Sequence, residues 1–70
     1  MTAEQAREWL EYLPAHEPVF VLRARDPLAE YAIIRWVSEA GYSGVSKEKI
    51  DGALAVLSAF KKWPVRKMPG

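Results

Sequence analysis

Four cations fall within seven residues near the end of the chain, Lys61, Lys62, Arg66 and Lys67, with the indole of Trp63 among them. Cations beside an aromatic face are what phosphate contact plus base stacking requires. The competing reading is structural: Lys61 and Lys62 offset the negative end of a helix, and Trp63 folds into the core. Arg23 and Arg25 form a second cationic pair, on one face of the alternating stretch EPVFVLRARD, residues 17–26. If two copies of this stretch pair antiparallel, four guanidinium groups converge. They repel unless carboxylates or a bound anion sit among them. Glu17 or Glu30 could instead pair with them inside one chain. Tyr31, Trp36 and Tyr42 could wall a pocket or belong to the core. The candidate ligand-binding set is therefore Arg23, Arg25, Tyr42, Lys61, Lys62, Trp63, Arg66 and Lys67.

Catalytic chemistry has little to work with. The single histidine, His16, lies in a linker beside Glu17, and there is no cysteine. Ser43, Ser46 and Ser58 have no base near them in sequence, and Ser46 is already explained as a helix cap. A tetrahedral zinc site needs about four N, S or O ligands. The spacing of Gly41, Gly44 and Gly52 matches neither a phosphate-binding loop nor a dinucleotide fingerprint. No catalytic residue, metal site or cofactor is expected, and the chain reads as a non-enzyme.

The elements that must position the cations follow from periodicity. Thr2 and Gln5 form a capping-box pattern opening a helix over residues 3–13, with Ala6, Trp9, Leu10 and Leu13 on one stripe and Pro14 ending it. Residues 18–25 alternate like a strand, Phe20, Leu22 and Ala24 against Val19, Val21, Arg23 and Arg25. Asp26-Pro27 starts a second helix, 27–40, with Ala29, Ile33, Trp36, Val37 and Ala40 inward and Gly41 stopping it. Ser46 caps a third helix, 47–63, whose inward stripe is Ile50, Ala53, Leu54, Leu57 and Phe60. Ala55, Val56 and Ala59 make that helix apolar nearly all round, and Gly52 within it suggests close helix–helix approach. An extended basic tail, 64–70, closes the chain.

Seventy residues make a single domain, 1–70, and a core this small seldom supplies more than ~3–5 kcal/mol. Without disulfides or a metal, self-association is the expected remedy. The fold class is mostly α: three helices with one short strand between the first and second. A lone strand needs a partner for its backbone, so strand pairing between subunits is expected. Charge is polarised along the chain. Glu4, Glu8, Glu11 and Glu17 stand against Arg7 in residues 1–20, and six cations stand against Glu48 and Asp51 in residues 46–70. That polarity suits packing between copies or an anion held near the C-terminal end. No apolar run reaches membrane-spanning length, and the N-terminus lacks a signal-peptide layout. A helix-turn-helix is disfavoured: Glu48 and Asp51 flank Lys47 and Lys49 on the would-be recognition helix, and the 41–45 loop is longer than the usual turn.

EPVFVLRARDPLA, then Trp36, then KKWPVRKMP resembles small proteins encoded in phage and prophage genomes. The likeness covers most of residues 17–69 and rests on Glu17, Pro18, Phe20, Leu22, Arg23 and Asp26, then Trp63, Pro64, Lys67 and Pro69. It carries no assigned functional residues. What it implies is a context, a phage protein at work in a bacterial host cytoplasm. Small phage proteins of that kind often bind a host component, and some resemble sponges that sequester nucleotide immune signals between subunits. The expected function is therefore a non-catalytic counter-defence protein that holds a phosphate-bearing nucleotide signal at subunit interfaces. Inhibition of a host protein is the first alternative and a small DNA-binding regulator the second.

Overall fold

The computed structural model describes residues 1–69 and contains three helices, α1 (Ala3–Leu10), α2 (Ala29–Tyr42) and α3 (Lys47–Lys62). The Thr2 capping box forms as its pattern predicts. Gln5 N–H donates to Thr2 Oγ1 at 3.3 Å, and Gln5 Oε1 accepts from Thr2 N–H at 2.8 Å. α1 stops three residues short of the predicted Leu13. Over Glu11–Leu13 each amide donates three residues back, to Glu8, Trp9 and Leu10, which tightens the last turn. Pro14 is the cause, because it pushes Leu13 away from helical geometry.

No strand forms among the described residues, so the expected strand at 18–25 is corrected to an irregular segment within the chain. A strand needs a ladder, and within one chain only the C-terminal tail comes alongside. That tail supplies one backbone bond, Lys67 N–H to Arg25 C=O at 2.8 Å. Pro64 and Pro69 have no N–H to give, so the ladder cannot extend far. A turn closed by Asp26 N–H to Arg23 C=O, 3.0 Å, ends the segment. The alternation survives only in part: Leu22 and Ala24 are half-buried, while Phe20, assigned to the same face, is 87% exposed.

α2 begins two residues later than predicted. Asp26 Oδ1 accepts from Leu28 N–H at 2.8 Å, a local side-chain turn that starts the winding ahead of Ala29. At its other end Gly41 lies inside the helix, and Gly44 takes the left-handed position with φ 76°. Val45 N–H then donates back to Ala40 C=O at 3.1 Å, the long bond of a Schellman ending. Ser46 caps α3 through Lys49 N–H, 3.4 Å, as predicted.

α2 and α3 pack on each other, and α1 packs on neither. Their interface is thin. Only Ala29, Ala40 and Leu57 are buried, with Ile33, Val37, Ile50, Ala53, Val56 and Phe60 half-buried around them. Trp36 and Leu54, both predicted inward, are exposed, and Gly52 has no atom within 4 Å of where a Cβ would sit. The close approach expected at Gly52 does not occur within the chain. The accessible surface is 6050 Å² for a mass of 7.9 kDa. A compact monomer of that mass exposes about 4,400 Å². The radius of gyration, 13.1 Å, likewise exceeds the ~11 Å of a compact chain this long. Among the described residues no helix is long and apolar enough to cross a membrane.

Candidate functional site

The tail is held against the rest of the chain by one side chain. Arg66 Nη2 donates to Glu30 Oε1 at 2.7 Å and to Phe60 C=O at 2.6 Å, and Nη1 donates to Ala24 C=O at 3.3 Å. Each acceptor has a local reason to be there. Phe60 C=O is one of the last carbonyls of α3; it accepts from the capping amide of Trp63 at 3.1 Å and has a second lone pair to offer. Glu30 occupies the first turn of α2, where a carboxylate is favoured. Ala24 lies in the strand-like segment. The guanidinium therefore ties three parts of the fold together. The Arg66 side chain is 32% exposed and that of Glu30 22%, so this pair is better shielded than the surface pairs Arg35–Glu39 and Lys47–Asp51. Hydrogen bonds to charged groups are worth roughly 1.5–3 kcal/mol before such partial exposure is discounted.

Docking of the tail creates a cleft of about 190 Å³. Arg23, Arg25 and Asp26 line one side, Lys67, Met68 and Pro69 the other, and Val21 lies at the edge. Three cations face one carboxylate there. Arg23 and Arg25 make no ion pair among the described residues, so the alternative in which Glu17 or Glu30 pairs with them does not form: Glu30 is held by Arg66. A phosphate or carboxylate group suits this charge set, and the two guanidiniums offer planar, forked donors for it. The volume falls below the ~300–1,000 Å³ of ordinary ligand pockets, so the cleft has room for a group the size of a phosphate but not for a whole nucleotide.

The eight predicted site residues thus separate. Arg23, Arg25 and Lys67 come together. Arg66 sits beside them, but three of its five donors go to protein acceptors. Lys61 and Lys62, in the last turn of α3, and Trp63, its C-cap, do not line that cleft. Trp63 is 52% exposed rather than folded into the core. Tyr42 borders a separate shallow hollow of about 430 Å³ with Val37, Ser38, Gly41 and Ile50, away from the cations. Asp26, Met68 and Glu30 were not in the predicted set. Asp26, expected as the N-cap of the second helix, is not its cap: Leu28 is, without a side-chain bond, and Asp26 instead closes the turn ahead of it through Leu28 N–H. Glu30 carried a signal only as an acid near unassigned arginines, and its partner lies 36 positions away.

Lys47, which a DNA-reading helix would need free, donates to Asp51 Oδ2 at 2.7 Å. No grouping of three or more His, Cys, Asp or Glu suited to a metal ion occurs among the described residues. Comparison with protein-family models, curated proteins and solved structures finds no match for this chain.

Proposed function

We propose that this protein is a non-catalytic binding protein that sequesters a phosphate-bearing nucleotide signal where its copies meet, as a phage counter-defence factor in a bacterial cytoplasm. The observation that carries the reading is the meeting of Arg23, Arg25 and Lys67 in a cleft too small for a complete nucleotide. The cleft takes the phosphate, and the base needs a surface outside it. Exposed aromatic side chains are abundant for that purpose, Tyr12, Phe20, Tyr31 and Tyr42 among them. Self-association is supported by area. The surplus over a compact monomer is about 1,600 Å², twice the ~800 Å² that each partner contributes to a standard interface.

A panel of cyclic dinucleotides and ADP-ribose-type nucleotides in thermal shift tests the proposal. A ligand present at a hundred times its Kd raises Tm by roughly 10–20 °C in a domain of this size. The same ligand is recovered unaltered when the protein is denatured. No shift with any member at millimolar concentration rejects the nucleotide reading, and a chemically altered ligand rejects the non-catalytic one.

One observation favours the second reading, inhibition of a host protein. α1 carries Trp9 and Leu10 exposed and packs on neither other helix, the state of a helix awaiting a groove. Co-purification of a host protein in fixed ratio, with no nucleotide shift, selects that reading.

A further inference from the structure

We infer that Arg66 is the positioning residue of the cationic cleft, and that docking of the tail and binding of the anion form one coupled equilibrium. The inference rests on the anion-binding reading of the cleft. Three of the seven residues lining the cleft are tail, Lys67, Met68 and Pro69, and the described part of the tail forms no regular structure of its own. What holds it is the adjacent side chain. Arg66 is gripped by Glu30 and by the carbonyls of Phe60 and Ala24, and the next residue, Lys67, bonds through its amide to Arg25 C=O. Lys67 is thus held on the same cleft as Arg23 and Arg25, neither of which makes an ion pair among the described residues. Without that grip, Lys67 is one more cation on a chain end, and Arg23 and Arg25 face solvent.

The coupling is reciprocal. An anion that bridges Lys67 to the arginines stabilises the docked tail by the factor by which docking improves its affinity. Three like charges drawn together also oppose docking in the empty state. The anion removes that opposition, so the empty cleft is the state in which the tail releases most readily. Glu30, remote from the ligand, then controls affinity without touching it.

The experiment uses the full chain with inorganic pyrophosphate as probe. Glu30→Gln leaves every cation of the cleft in place and removes only the charge that grips Arg66. The expected result is a Lys67 amide that exchanges about tenfold faster and a pyrophosphate affinity about tenfold weaker. Arg35→Gln, which breaks an exposed ion pair elsewhere on α2, changes neither. Should Glu30→Gln lose its helical signal, the wild-type chain still decides: saturating pyrophosphate must slow Lys67 amide exchange. Unchanged exchange with bound pyrophosphate, or a folded Glu30→Gln that binds as tightly as wild type, overturns the positioning role and leaves the anion site standing. Absence of any pyrophosphate binding by the wild type removes the anion reading itself, and the inference with it.

Discussion

The amide of Lys67 donates to the carbonyl of Arg25 at 2.8 Å, so the segment that alternates like a strand finds its backbone partner in the chain's own tail. That single bond, with the three donated by Arg66, joins the two cationic clusters that lie some forty residues apart in sequence.

Removing the tail tests how much that junction holds. A chain ending at Trp63 loses the Arg66 grip and the Lys67 bond, and is expected to be less stable by about 1–3 kcal/mol. At 4–8 °C of Tm per kcal/mol for a domain of this size, the drop is readily seen by circular dichroism. A truncated chain that melts with wild type means the tail is undocked in solution.

Charge substitution separates the cleft from the helix end. Arg23→Met, Arg25→Met or Lys67→Met each weakens anion binding about tenfold, the loss of one charge-assisted contact. The double change Lys61→Met with Lys62→Met leaves affinity within about twofold, because neither residue lines the cleft. Titration calorimetry at two salt concentrations reads both effects, and equal losses from the two sets place the site elsewhere.

Three glycines predict opposite signs. Gly44 holds φ 76°, so Gly44→Ala costs about 1–2 kcal/mol. Gly41 and Gly52 sit within helices with open space around them, so Ala at either adds up to about 1 kcal/mol. Thermal melts of the three variants check this. A destabilised Gly52→Ala would place another copy of the chain against α3 at that point.

The thin core makes Leu57 the most costly residue to truncate. Leu57→Ala removes the largest buried side chain between α2 and α3 and is expected to cost about 2–4 kcal/mol, close to unfolding for so small a domain. Leu54→Ala, 44% exposed, costs well under half of that in an isolated chain. A comparable loss at both positions in denaturant titrations means the outer face of α3 is covered in solution.

Self-association has its own measurement. Sedimentation at micromolar protein is expected to return a multiple of 7.9 kDa. Trp9→Ser, which takes an exposed indole from a helix with no partner in its own chain, lowers that mass. A stable single chain in the wild type ends the shared-site account of the nucleotide.

Sequence alone determined the helices, because the signals that set them are local. The Thr2–Gln5 box, the Ser46 cap and the apolar spacing of α2 and α3 each act within one or two turns, so nearby residue types suffice. Boundaries moved where two local signals competed: Gly44 rather than Gly41 adopted the left-handed cap, and Pro14 tightened the turn before it. The cations were legible as residues, not as a site. Whether Arg66 is a ligand contact or a structural grip depends on Glu30, which only folding brings within 2.7 Å. The strand failed for the same reason, since a ladder is a property of two segments and alternation is a property of one. Chain folding decided which cations share a cleft, because charges distant in sequence meet only where packed elements and a docked tail carry them.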